Sequence, residues 1–424
     1  MRFNVFKNTV LLFVLVLISC ASKTKDNLAE TNQILAKTKT KTNPPPFNPI
    51  IVGANQTKSY LSLLKGKRVG IVANQTSVIF KNVISPSNTV SGQSYSHLVD
   101  SLISEKVNVT KVFAPEHGFR GQADAGEVVK DGIDTKTGLP IVSLYGKNKK
   151  PSAEQLQDID VIIFDIQDVG ARFYTYISSL HYVMEACAEQ NKLLLVLDRP
   201  NPNGHYIDGP ILEMEHSSFV GMHPVPIVHG LTIGEYATMI NGEKWLKNGI
   251  QCNLKVITMT HYNRQMTYDL PIKPSPNLPN AQAINLYPSL CLFEGTNISA
   301  GRGTDLQFQI YGSPFLPKSS YVFTPIANDG AKYPKYENKV CNGYNLSQAK
   351  PLNGLNLNYL IAAYKTTTNQ SEFFIKNGFF TKLAGTNKLQ QQIEAGWDED
   401  KIKATWTSGL NSFKIKRQPY VLYN

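Results

Sequence analysis

Lys111-Val112-Phe113-Ala114-Pro115-Glu116-His117-Gly118-Phe119-Arg120-Gly121 completes a β-rich run that begins at Val107. Pro115 has no N–H to give to a ladder, so the strand stops at Ala114. Glu116, His117 and Arg120 then emerge together, and Gly118 and Gly121 let the backbone turn. A carboxylate, an imidazole and a guanidinium just past a strand end predict a site, because open α/β sheets bind ligands at the carboxyl ends of their strands. The competing reading is a solvated, ion-paired loop.

The flanking sequence supplies the sheet. Residues 67–74, 139–144, 160–165, 192–198 and 254–259 read as strands, and Asp160-Val161-Ile162-Ile163-Phe164-Asp165 is almost continuously apolar, as expected when helices cover both faces. Residues 97–104, 175–190 and 232–247 read as helices, the last with Thr232 and Glu235 at capping-box spacing. This alternation predicts an α/β fold with a mostly parallel sheet over residues 49–269. Pro271, Pro274, Pro276, Pro279 and Pro288 make 270–288 a poor helix or central strand and a good domain crossing. A smaller domain, 270–424, should hold short strands near Ile298, 306–310 and 321–324, then helices from Leu389 to Trp406 and beyond. Phe373, Phe374, Phe379 and Phe380 read as its core aromatics.

At the N-terminus, Arg2 and Lys7 precede an apolar run from Thr9 to Ile18, the form of a secretory signal and too short for an ordinary spanning helix. Leu17-Ile18-Ser19-Cys20 resembles a bacterial lipobox, which predicts a signal peptide over 1–20 and lipidation at Cys20. Residues 21–48, rich in Lys, Thr and Asn and closing on Pro44-Pro45-Pro46, read as a tether. The expected location is the bacterial cell envelope, lipid-anchored and facing the periplasm or the outside. The net charge of +11 is concentrated towards this end, and no basic stripe with interleaved aromatics appears, so nucleic acid is not an expected partner. Cys187 and Cys291 lie in apolar surroundings and read as buried thiols, and no cysteine spacing demands a disulfide or a metal.

Familiar chemistries fail on their motifs. Asn74-Gln75-Thr76-Ser77 after the first strand lacks the glycines of a dinucleotide site, and neither a P-loop nor a G-x-S-x-G elbow is present. His117, His181, His205, His223, His229 and Glu213 show no metal spacing, so neither metal nor cofactor is expected. What remains is carboxylates at strand ends: Glu116, Asp165, Asp168 and Asp198. Two carboxylates flanking a sugar linkage are the usual equipment of glycoside hydrolysis. Tyr145, Tyr174, Tyr176 and Phe119 offer walls for a sugar ring. Asp165 has a purely structural alternative, a buried pair with Arg172.

Long stretches, in order, are similar to the exo-β-N-acetylmuramidases of the NamZ type, a family long described only as a domain of unknown function. They are 113–121, Asp165-Ile166-Gln167-Asp168-Val169-Gly170-Ala171-Arg172-Phe173-Tyr174-Thr175-Tyr176, Asp198-Arg199-Pro200-Asn201-Pro202-Asn203-Gly204, 219–224, 229–235, Asn277-Leu278-Pro279-Asn280, 287–296, Gly301-Arg302-Gly303-Thr304-Asp305 and Leu383-Ala384-Gly385-Thr386. The resemblance implies a Rossmann-like domain, a smaller α/β (α+β) domain, and an active site in the cleft between them. It implies release of terminal non-reducing β-1,4-linked N-acetylmuramic acid from peptidoglycan-derived muropeptides or disaccharides, with the family's catalytic glutamate falling on Glu116. Asp168 is the expected second catalytic carboxylate, because it lies further past its strand than Asp165, with Glu294 and Asp305 as candidates from the second domain. His117, Arg120, Asp165, Arg172, Tyr174, Asn201, His229, Glu294, Arg302 and Asp305 are expected around the substrate, with Arg302 or Arg120 on the lactyl carboxylate. Retaining, inverting and substrate-assisted chemistry all remain open. The polar stretch 328–350 departs from the family pattern and touches no motif. Two rival readings are a non-catalytic cell-wall-binding lipoprotein, and an esterase or amidase using Ser77 or Ser143.

Overall fold

In the computed structural model, which describes residues 49–81, 94–120 and 131–424, the chain is built on a seven-stranded sheet. The expected signal, the tether, Cys20 and Gly121 lie outside the described residues. The strands are β1 (Arg68–Ala73), β4 (Asn108–Ala114), β5 (Gly132–Ile133), β6 (Pro140–Ser143), β7 (Val161–Asp165), β8 (Leu193–Leu197) and β9 (Asn253–Ile257), while β2 (Val78–Phe80) and β3 (Tyr95–His97) form a separate hairpin. The order is β5-β6-β4-β1-β7-β8-β9, and every pairing is parallel except β5 with β6. Counting only the six parallel strands, this is 3-2-1-4-5-6, the doubly wound Rossmann order.

The near-continuous apolar strands follow from two covered faces. In β7, Ile162 and Phe164 join the core containing the helices Tyr176–Glu189 and Ile233–Gly242, while Val161 and Ile163 join the opposite core with the helices Thr57–Leu64 and Leu98–Ser104. Thr232 and Glu235 form the expected capping box. No helix of the described residues is long and apolar enough to cross a membrane.

The proline-rich stretch contains a helix after all, Ala281–Leu290, with Pro288 inside it. Asn280 caps its start, accepting from the Ala283 N–H at 2.9 Å. Pro288 cannot donate to the Ile284 carbonyl four residues back. The Asn203 amide donates there instead, at 3.1 Å. A side chain 81 residues away therefore removes the cost that made a helix look poor.

Beyond it, a three-stranded antiparallel sheet orders Ile310–Ser313, Cys341–Asn345 and Tyr321–Phe323. Strands expected near Ile298 and over 306–310 are instead a looped path, with Gly301 at φ 80°, Gly303 at φ 79° and Phe308 at φ 53°. Helices follow at Asn358–Thr366, Phe379–Ala384, Lys388–Glu394, Glu399–Ala404 and Thr407–Arg417. Phe373, Phe374 and Phe380 are buried in the core.

Candidate active site

Glu116 is presented by a tight turn at the carboxyl end of β4. The Gly118 N–H closes on the Pro115 carbonyl at 3.0 Å, with His117 at φ 70° and Gly118 at φ 77°. The carboxylate is held from two sides. Oε1 accepts from the Tyr145 hydroxyl at 3.1 Å, just past β6, and Oε2 from the Thr175 hydroxyl at 2.6 Å, at the entry to the helix Tyr176–Glu189. Burial, followed by the nearby Glu116 charge, pushes the Tyr145 phenol up, so it remains a donor. Two hydroxyls thus fix the carboxyl group's orientation while its residue stays partly exposed.

Glu116 opens on a cavity of about 550 Å³ lined from both parts of the chain. Phe173, Tyr174, Tyr287 and Phe308 make an aromatic wall. Tyr287 meets Phe173 edge-on at 5.4 Å, Tyr174 at 5.9 Å and Phe308 at 4.9 Å. The Tyr174 hydroxyl is committed to the Pro274 carbonyl at 2.8 Å, so this residue offers its ring. Glu294 and Arg302, paired through Nε at 2.5 Å and Nη2 at 3.3 Å, also line the cavity, as does Lys335. A volume of this size with an apolar wall and few convergent polar groups suits one small ligand.

Of the expected site residues, Glu116, His117, Tyr174, Glu294 and Arg302 line this cavity. The others do not. Arg120 turns away to Asp134, at 3.1 and 2.7 Å, and bounds a separate pocket with His97, Asp100 and Lys136. Asp305 is exposed and outside the cavity wall. Asp165 is fully buried and paired not with Arg172 but with Arg199, at 2.7 and 2.8 Å. Arg172 is equally buried and has no carboxylate partner among the described residues. Its guanidinium donates to the carbonyls of Pro210, Val225, Leu383 and Ala384 at 2.7–3.0 Å, and burial brings its pKa down to about 9. Gly385, at φ 77°, is what permits this approach, since a Cβ there would fall 2.5 Å from Nη2. Asn201 is a buried loop staple, donating to the Leu231 carbonyl at 2.8 Å and accepting from the Asn203 N–H at 2.8 Å. Ser77 and Ser143 are spent in turns and have no general-base partner among the described residues: Ser77 donates to the Asp165 carbonyl, and the Ser143 hydroxyl accepts from the Tyr145 N–H at 3.2 Å.

Asp168, expected as the second catalytic acid, also lies outside the cavity wall. It is 3% exposed and accepts from the Gly170 N–H at 2.7 Å, while its Oδ1 has no hydrogen-bond partner among the described residues. His229 is fully buried nearby, its Nε2 3.9 Å from Asp168 Oδ2. Burial raises the Asp168 carboxyl to about 7 against the pull of two backbone N–H groups, and burial lowers the His229 imidazole to about 3. An acid raised in the folded state contributes stability below its ordinary value near 4, and loses it as pH rises towards 7. Asp168→Asn removes that loss. Its stability relative to the parent should therefore be higher at pH 7.5 than at pH 4.5, by on the order of a few kcal/mol at ~1.4 kcal/mol per pKa unit. Urea unfolding at the two pH values measures it, and an equal difference at both would show that Asp168 does not titrate this way.

Thr175 and Lys335 were not legible as site residues. Thr175 sits inside a matched motif but has no residue type that marks chemistry. Lys335 belongs to the stretch 328–350 that touches no motif in sequence, yet Gly330, Ala331, Tyr333, Pro334 and Lys335 all line the cavity.

Residues 69–282 match the N-terminal family model of the exo-β-N-acetylmuramidase NamZ, and residues 285–423 match the C-terminal one. The peptidoglycan β-N-acetylmuramidase NamZ of Bacillus subtilis strain 168 is 39% identical over 384 residues, 86% of this chain and 89% of that protein. Two crystal structures of DUF1343 family proteins from Bacteroides fragilis NCTC 9343 superpose with TM-scores of 0.79 and 0.72, at 48% and 29% identity, each covering 89% of this chain and 99% of the other. Matched along nearly its whole described length by both halves of the family model, the chain belongs to the exo-β-N-acetylmuramidase NamZ family.

Proposed function

We propose that this chain is an exo-acting glycosidase that releases terminal non-reducing β-1,4-linked N-acetylmuramic acid from peptidoglycan fragments, in cell-wall turnover and recycling. The observation that carries the reading is Glu116: a carboxyl oriented by Tyr145 and Thr175 on the wall of a cavity sized for a sugar, in a chain of this family. Glu116 protonates the leaving oxygen as the glycosidic bond breaks. The aromatic wall takes the apolar face of the ring. Product analysis on defined disaccharides tests the reading. Free N-acetylmuramic acid from the non-reducing end is expected, and binding without release would mark a non-catalytic cell-wall-binding protein instead.

Arg302 is the one expected lactyl-binding arginine that lines the cavity. Two of its nitrogens are engaged by Glu294, and the guanidinium lies 5.1 Å from the Phe308 ring. Arg302→Met removes a cation and unmasks the Glu294 charge. Tenfold or greater loss of preference for a β-N-acetylmuraminide over a β-N-acetylglucosaminide is expected, at ~1.4 kcal/mol per tenfold. An unchanged preference would place lactyl recognition elsewhere.

The reading includes attachment to a membrane through lipidated Cys20, supported by the basic start, the apolar run and the lipobox-like ending. Metabolic labelling with a fatty acid should mark the parent and not Cys20→Ala.

A further inference from the structure

Three ionisable groups of the C-terminal part meet in the cavity wall. Glu294 lies in the turn Cys291–Gly295, Arg302 between two glycines of left-handed conformation, and Lys335 on the segment that departs from the family pattern. The Glu294 and Arg302 charges cancel in their ion pair. The Lys335 charge is not cancelled. Its ammonium donates to three backbone carbonyls, those of Phe293 at 3.3 Å, Thr296, and Ile298 at 3.0 Å, and no carboxylate of the described residues is ion-paired with it. Neutral carbonyls satisfy an ammonium's donors and fix its position, but they leave its unit charge. With all three groups ionised, the cluster therefore carries one net positive charge.

We propose that Lys335 is a specificity-determining residue: its carbonyl-caged ammonium supplies the uncompensated charge by which the cavity selects a sugar bearing a carboxylate over its neutral counterpart. The proposal rests on the muramidase reading and deepens it. N-acetylmuramic acid differs from N-acetylglucosamine by the lactyl carboxylate, so a monoanion meets a cluster of net charge +1. The cage keeps the ammonium in place before the ligand arrives, so its charge acts without a rearrangement. Burial works against this charge, bringing Lys335 down to about 8, with Glu294 supporting it and Arg302 opposing it. An arriving carboxylate relieves that opposition.

A plainer role is available from the same contacts. The Phe293 carbonyl lies in the 3-10 turn Cys291–Gly295 that follows the helix Ala281–Leu290, and those of Thr296 and Ile298 lie in the chain just beyond it, so the lysine also caps the end of that turn. A cap alone would support both substrates equally. The full chain is therefore compared with Lys335→Gln, which keeps donors for the cage and loses the charge, and with Lys335→Arg, which keeps the charge. The readouts are KM and kcat on chromogenic β-N-acetylmuraminide and β-N-acetylglucosaminide. The ratio of the two kcat/KM values cancels the folded fraction, so partial misfolding does not obscure it. Lys335→Gln is expected to raise KM for the muraminide tenfold or more, with kcat within about threefold and the glucosaminide unchanged, and Lys335→Arg to restore most of the preference. An unchanged ratio in Lys335→Gln, or a failure of Lys335→Arg to exceed it, overturns the proposal. If the parent itself releases no N-acetylmuramic acid, the muramidase reading fails, and that result is separate from any effect at Lys335.

Discussion

Glu116→Gln is expected to lower kcat on a muropeptide-derived disaccharide by about 10²–10⁴-fold, the usual contribution of a positioned general acid. The substitution preserves shape. The amide oxygen can still accept from Tyr145 or Thr175, and the rotating hydroxyl of the other can accept from the amide nitrogen. What disappears is the proton for the leaving oxygen. The signature of an acid, as opposed to a merely positioning group, is dependence on the leaving group. A nitrophenolate departs with little need of protonation, whereas the sugar alkoxide needs it. The loss should therefore be much larger on the natural disaccharide than on a nitrophenyl muraminide, with KM changed little on either. Equal losses on both would argue that Glu116 acts in some other step, and parental activity on the disaccharide would remove it from catalysis.

The second large effect concerns the fold. Arg199→Met should destabilise the chain by about 3–5 kcal/mol, the range for stripping one partner from a buried ion pair. Asp165 and Arg199 are almost entirely excluded from solvent, and the guanidinium also donates to the Val78 carbonyl at 3.0 Å. The pair sits where β7 and β8 end, beside β1, at the crevice a Rossmann sheet commonly gives to a nucleotide phosphate. Here the chain fills that crevice itself. The Asn74–Ser77 turn is tied across it, with the Thr76 hydroxyl accepting from the Gln167 N–H at 3.0 Å and Asn74 donating to the Tyr176 hydroxyl at 2.9 Å. Asp165→Asn in the Arg199→Met background removes the stranded charge and should recover part of the loss. Chemical denaturation of the parent, both singles and the double gives the coupling. A single substitution costing under about 1 kcal/mol would mean that the pair is solvated, since that is the range of exposed pairs.

The parallel sheet was readable from sequence because its cause is short-ranged. A strand covered on both faces needs an apolar residue at nearly every position, and 161–164 and 193–197 have one. A helix start needs its cap within four residues, as Thr232 and Glu235 supply. Pro115 and two residues of positive φ turn the chain at the end of β4, so the emergence of Glu116 from a strand end was equally local. What the tertiary structure decided was which distant groups meet. Asp165 could have paired with Arg172, seven residues on, but the topology brings Arg199 to it and sends Arg172 to carbonyls more than 200 residues away. Asp168 and Glu116 both follow strands, yet only Glu116 reaches the cavity, because the chain after β7 folds Asp168 inward against His229. Lys335 carries no local mark and enters the cavity because three carbonyls, 37–42 residues earlier, hold its ammonium there. Membership of a cavity, like the partner of a buried charge, is set by long-range packing, which residue type and spacing alone do not fix.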